Sequence, residues 1–216
     1  MRQGCIDQAA LGDVPFEPML CLGHVHSGCD PWSLPHARRG EARFPEENAT
    51  LAFDKGIAPD YRTLGRRERL FRRIVARLFR GGVVSPSASI IEAGMAVGDN
   101  AVPWASLLTQ LAREAGVEAG TVYALDPMRR NCERTLKLAR LNGLSNLCLL
   151  QRAVGGENGC AAIKQRTGPR LQIPQAALDR LTSLLEGGRF SVGFIHLDVE
   201  VSVRAASNVD VRRHHG

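Results

Sequence analysis

Aromatic residues are scarce in this chain, at two Trp, two Tyr and seven Phe among 216 residues. A hydrophobic core must therefore rest on Leu, Ile, Val and Ala. No apolar run approaches the ~18 residues that a membrane span requires. The first twenty residues lack a basic start followed by an apolar run, so no secretory signal is read there, and Asp7, Asp13 and Glu17 speak against an organelle transit peptide. The expected location is cytoplasmic. Six cysteines, Cys5, Cys21, Cys29, Cys132, Cys148 and Cys160, are too few for a disulfide-built mini-protein of this length, and free thiols are expected. There is no Gly-x-x-x-x-Gly-Lys-Ser/Thr loop and no Gly-x-Ser-x-Gly elbow, which counts against a nucleotide triphosphatase and an α/β hydrolase.

What is present is a soluble globular composition, 44% hydrophobic and 23% charged, with a formal net charge of +6. That balance permits an anionic partner without requiring one. Much of the excess sits in residues 62–80, which hold eight arginines. Residues 1–60 show no sustained period and carry Pro15, Pro18, Pro31, Pro35 and Pro45, so an irregular, partly disordered extension is expected there. Residues 61–82 read as a basic amphipathic helix, with Leu70, Phe71, Ile74, Val75 and Leu78 at helical spacing and Gly81-Gly82 as its stop.

From Ser89 onward the rhythm is strand, loop, helix. Ile90-Ile91-Glu92-Ala93, Val122-Tyr123-Ala124-Leu125, Leu147-Cys148-Leu149-Leu150 and residues 192–197 read as strands. Residues 102–115 and 130–141 read as helices, and residues 178–185 as a helical or extended run. The strands are continuously apolar, which predicts a parallel α/β sheet with helices on both faces over residues 83–200, followed by an irregular tail over 201–216.

In such sheets ligands bind beyond the carboxyl ends of the strands. Three of the four strand ends carry acids: Glu92, Asp126, and Asp198 with Glu200. In the first loop, Gly94 and Gly98 permit a tight turn and close approach to the backbone. A dinucleotide fingerprint needs glycines where this loop has Gly94, Ala96 and Asp99. Asp99 also places a negative charge where a pyrophosphate wants a bare helix N-terminus. The loop therefore favours a ligand with positive groups and no phosphate, such as S-adenosylmethionine. Glu92 is then suited to orient its amino-acid end, and Asp126 to accept from ribose hydroxyls, the competing role of either acid being to cap the next helix.

Residues 89–200 resemble the FkbM family of S-adenosylmethionine-dependent methyltransferases. The resemblance rests on Ile90-Ile91-Glu92-Ala93-Gly94-Met95-Ala96-Val97-Gly98-Asp99-Asn100, Val122-Tyr123-Ala124-Leu125-Asp126-Pro127, Leu141-Asn142-Gly143-Leu144-Ser145-Asn146 and Ile195-His196-Leu197-Asp198-Val199-Glu200. It implies a Rossmann-like class I methyltransferase fold acting on a hydroxyl oxygen of a small molecule, sugar or lipid. It also implies cofactor contacts from Glu92, Gly94, Met95, Gly98, Asp126, Pro127 and Ala153, with Asp198 facing the transferring methyl. Asp198 and Glu200 are the candidates for helping to remove the acceptor proton. Such proteins usually follow Asp-Val-Glu with Gly and a further acid, where this chain has Val201 and Val203. A full fold of this type needs on the order of sixty further residues. The sheet is therefore expected to lack its last strands, leaving residues 192–197 as an exposed apolar edge.

The alternative is a catalytically inactive module of the same fold that uses the basic helix for an anionic partner, nucleic acid being permitted but not favoured. Cys21, His24, His26 and Cys29 are zinc-ligand types, yet their spacing matches no common structural site, and no metal is expected. His196 is suited to act as a base, but a mid-strand position usually points into packing.

Overall fold

The computed structural model describes residues 20–21, 39–56, 68–156, 159–163, 171–178 and 191–199. The chain runs β1 (Leu20–Cys21), β2 (Arg39–Phe44), β3 (Ala49–Asp54), α1 (Arg69–Arg80), β4 (Ser89–Ala93), α2 (Ala101–Ala115), β5 (Val122–Leu125), α3 (Arg129–Leu141), β6 (Leu147–Leu150), β7 (Ala153–Gly155), β8 (Gly159–Ile163), β9 (Leu171–Ala177) and β10 (Val192–Leu197).

The central sheet has the order β1-β6-β5-β4-β10. Its last four strands are parallel, and β1 pairs antiparallel at the β6 edge. This is an α/β architecture, a four-stranded parallel sheet flanked by helices, compatible with a Rossmann-like fold. The crossovers β4–α2–β5 and β5–α3–β6 step the same way along the sheet, and right-handed connections then place both helices on one face. Ile90, Val122, Ala124, Leu147 and Leu149 point to that face and join Val75, Phe79, Trp104, Leu108, Leu136 and Leu138 in one core cluster. Each fully buried Leu or Ile there contributes about 1.5–3 kcal/mol.

On the other face Ile91, Tyr123, Leu125, Cys148 and Leu150 form a smaller cluster packed by Val154, Leu178 and Val192. Leu178 there is helical, and the residues that follow it, 179–190, lie outside the described set. The return from β6 to β10 also contains a three-stranded sheet of order β7-β9-β8. Of the run expected at 178–185, only Leu178 is described, and residues 201–216 lie outside the described set.

Two expectations are corrected. The extension over residues 1–60 contains a regular hairpin, β2–β3, in a register that sets Phe44 opposite Ala49 and Ala42 opposite Leu51. Its strands alternate strictly, burying Ala42, Phe44, Leu51 and Phe53, and so hold a sheet face against the helices despite the prolines around them. Asn142 fastens the hairpin to the end of α3, its Oδ1 accepting from Ala52 N–H and its Nδ2 donating to Ala52 O, each at 2.8 Å. The hairpin turn also delivers Glu47 to Arg72 of α1, Nε to Oε1 3.2 Å, both side chains fully buried. The second correction concerns the thiols: Cys148 is disulfide-bonded. The antiparallel pairing of β1 sets the Cys21 backbone directly opposite it. Cys132 is free and buried, and burial pushes its thiol up to about 12, so it is inert as a nucleophile.

The basic helix expected at 61–82 is observed as α1 over Arg69–Arg80, residues 57–67 lying outside the described set. No helix among the described residues is long and apolar enough to cross a membrane.

Candidate functional site

The chain leaves β4 to build β5 and β6 on one side and returns to β10 on the other, so the direction of winding reverses between β4 and β10. Open α/β sheets bind ligands at that switch point, beyond the strand carboxyl ends. The register brings the candidate residues to this rim. His196 lies opposite Glu92, Leu197 opposite Ala93, and Ala93 opposite Leu125, so Asp126 of β5 and Asp198 of β10 leave the sheet at the same end, on either side of β4. Pro127 follows Asp126, and half-buried Ala153 begins β7 just past β6. Glu200 lies outside the described residues.

The first loop is built on three left-handed residues, Gly94 (φ 88°), Ala96 (φ 48°) and Gly98 (φ 77°). The two glycines serve close packing within the protein. A Cβ on Gly94 would overlap the Asp198 carbonyl, because Asp198 N–H donates to Ala93 O at 2.9 Å and draws the end of β10 across the loop. A Cβ on Gly98 would come within 2.6 Å of the Thr135 methyl on α3. Met95 is a core residue whose N–H, like that of Gly94, donates to Leu125 O.

Asp126 is engaged by protein donors. Its Oδ1 accepts from Met128 N–H at 2.7 Å and from Asn131 Nδ2 at 3.1 Å, and its Oδ2 accepts from Ala96 N–H at 3.1 Å. It therefore ties the first loop to the start of α3. An ionised carboxylate offers about four acceptor positions, so one remains for a ligand hydroxyl. Burial holds this carboxyl above its ordinary range in spite of those three bonds.

Glu92 is in the opposite condition. It is 1% exposed, and its Oε2 has no hydrogen-bond partner. His196 lies beside it, Nδ1 to Oε1 3.6 Å, with its Nε2 3.8 Å from Glu68 Oε2, and is a cation there when protonated. The imidazole is held between the rings of Phe71 and Trp104, at centroid distances of 5.4 and 5.5 Å. Glu92 raises the His196 pKa, with smaller contributions from Glu68 and Asp198, against an opposing effect of burial. Burial raises Glu92 and the charge of Asp99 adds to it, against the hydrogen bonding and charge of His196 and hydrogen bonding from Asn100. Asp99 is itself raised, first by burial and then by Glu68 and Asp198.

Glu68 and Glu92 thus flank His196, and the charges of Asp99 and Asp198 act on the same group of carboxylates. Asn100 and Trp104 complete the site. Asn100 stands at the N-cap of α2 but makes no cap hydrogen bond, and its Nδ2 donates to Glu68 Oε2 at 2.9 Å instead. Its Oδ1 and the Trp104 Nε1 are buried without partners. Two of the three described non-glycine residues with positive φ, Glu68 (53°) and Ala96, flank the site, and such strain collects where surrounding structure fixes a side chain for a task. Among the described residues no cluster of His, Cys, Asp and Glu is arranged to hold a metal ion. Of the Cys21, His24, His26 and Cys29 set, only the backbone of Cys21 is described.

Sequence reasoning left Glu68, Asn100 and Trp104 out of the site and weighed His196 toward packing. His196 does pack between aromatic rings, and it also bridges two carboxylates. No family model, curated protein or solved structure matches the chain.

Proposed function

We propose that this chain binds S-adenosylmethionine and belongs to a methyltransferase resembling the FkbM family, transferring a methyl group to a hydroxyl oxygen of a small molecule, sugar or lipid. The observation that carries this reading is the surplus of acceptors at the switch point. Glu92 Oε2 and Asn100 Oδ1 are buried acceptors with no donor, beside Asp99 and Glu68. Buried acceptors without donors are costly, and a cationic ammonium group, directly or through water, supplies what they lack. The residues therefore fit the cationic end of this cofactor. At the ribose end, Asp126 has one acceptor position left, which suits a single hydroxyl rather than two.

When bound, the cofactor supplies an electrophilic methyl on a sulfonium. The chain's own contribution is to hold and orient. Glu92 and Asn100 fix the cationic end, the Asp126–Ala96 bond fixes the loop, and Asp99 repels phosphate-bearing competitors. Exposed Asp198 at the tip of β10 is the group placed to draw a proton from an acceptor hydroxyl. Glu200 is proposed for the same task on the strength of the resemblance. The disulfide at Cys148 fits an oxidising compartment better than the cytoplasm expected from free thiols.

Calorimetry compares two titrants. Heat of binding with S-adenosylmethionine and none with a nicotinamide dinucleotide is the expected result. Tighter binding of the dinucleotide, or no binding of either by folded protein, rejects the proposal.

A further inference from the structure

Helix α1 carries three different faces. Successive residues turn by about 100°. One face, Arg72, Val75, Ala76 and Phe79, is buried against the core. Beside it runs a stripe of four exposed arginines, Arg69, Arg73, Arg77 and Arg80. The third face is apolar and largely exposed: Leu70 is 67% exposed, Phe71 47%, with its ring packing partly on His196, and Ile74 42%. An arginine stripe alone is an ordinary solvated face. Leu70 and Ile74 left in water alongside it, with the outer half of Phe71, are not, because contiguous exposed apolar surface marks an interaction site.

The arginines are only partly neutralised. Glu46 accepts from Arg69 Nε at 2.9 Å and lies 3.7 Å from Arg73, and its carbonyl accepts from Arg80 at 2.8 Å. Arg77 has no ion pair with a described residue. Arg73, Arg77 and Arg80, with Glu46, Pro45 and Ala76, line an open cavity of about 450 Å³ between the hairpin turn and the helix. Three arginines against one carboxylate along a concave space suit a phosphate group.

We infer that the outer surface of α1 docks on an anionic phospholipid bilayer, with the arginines on headgroup phosphates and Leu70, Ile74 and Phe71 entering the acyl boundary. A nucleic acid would use the arginines and leave Leu70 and Ile74 in water. A second copy of this chain would oppose arginine to arginine. An anionic lipid surface uses both stripes at once, which is the pattern of a helix lying in the membrane interface, and the net charge of +6 has the matching sign. This inference stands apart from the methyl-transfer reading and survives its failure.

The test is co-sedimentation of the full chain with phosphatidylcholine vesicles, with and without phosphatidylglycerol, at low and high salt. Binding at least about tenfold tighter to the anionic vesicles is expected, since each arginine near such a surface contributes a factor of about five. Arg73→Glu with Arg77→Glu should remove that preference. Leu70→Gln with Ile74→Gln should weaken binding several-fold even at low salt. All four side chains are exposed, and far-ultraviolet circular dichroism confirms folding; if the double arginine variant fails to fold, Arg77→Glu alone carries the test. Equal binding to both vesicle types overturns the inference. So does loss on changing the arginines but not the apolar pair, together with displacement of vesicles by duplex RNA, which assigns the face to nucleic acid. A concentration-dependent dimer abolished by the Leu70 and Ile74 changes also overturns it, assigning the face to self-association.

Discussion

Glu92 and Asp126 stand at the tips of neighbouring parallel strands, and both carboxyls are held above their ordinary range by burial. Their surroundings are otherwise opposite. Asp126 has three hydrogen-bond donors from the protein, which join the first loop to α3. Glu92 is more deeply buried, lies 3.6 Å from a histidine that carries its own second carboxylate, and keeps one oxygen unpartnered. The pair teaches that position at a strand end does not by itself assign a task. The donors around each carboxylate do: Asp126 is chiefly a tie between elements, and Glu92 is held by His196 and Asn100 with one oxygen left unpartnered.

The comparison breaks outright if β10 is moved, because His196 then leaves Glu92. Gly94→Ala should do this. The added Cβ meets the Asp198 carbonyl, and φ at this position is 88°, so a loss of about 3 kcal/mol or more is expected in chemical denaturation. Asp126→Ala should come next. It strands the donors of Ala96, Met128 and Asn131 and should cost about 2–4 kcal/mol. Asp126→Asn, which keeps one acceptor oxygen, should cost less.

A smaller effect is expected from pH. The His196 pKa is raised in the folded protein. Its protonated form therefore stabilises the fold fully below the unfolded value of ~6.5, and the contribution is lost as pH rises through the higher folded value. Glu92 and Asp126, also raised, act in the same direction from their lower starting points. Thermal melts should show Tm falling from about pH 6 upward, with the fall reduced in His196→Gln. The smallest effect on stability belongs to Glu92→Gln. It removes a buried charge while keeping the shape, so denaturation should change by no more than about 1 kcal/mol, with any gain at alkaline pH.

The frame from β4 to β6 was legible because continuous apolar strands and the helical spacing between them agreed, and the structure ends α2 and α3 near Gly116 and Gly143, both with positive φ. The hairpin at Arg39–Asp54 was hidden because each strand shows only two buried alternations and Pro45 opens its turn. The β7-β9-β8 sheet carries Pro174 within a strand and offers little apolar contrast, so its period is weak. The strand-end acids were visible one by one. Their grouping with Glu68, Asn100 and Trp104 was not, since those three come from the starts of α1 and α2 and meet only after packing. Asn100 in particular looks like a helix cap, and its side chain serves Glu68 instead.

The most direct test of the central claim is the affinity of folded wild type and Glu92→Gln for S-adenosylmethionine, measured by calorimetry alongside their melting temperatures. If the unpartnered oxygen of Glu92 receives the cationic end of the ligand, the variant should bind at least about tenfold more weakly while melting within a few degrees of wild type. Equal affinity in the two proteins would contradict the account.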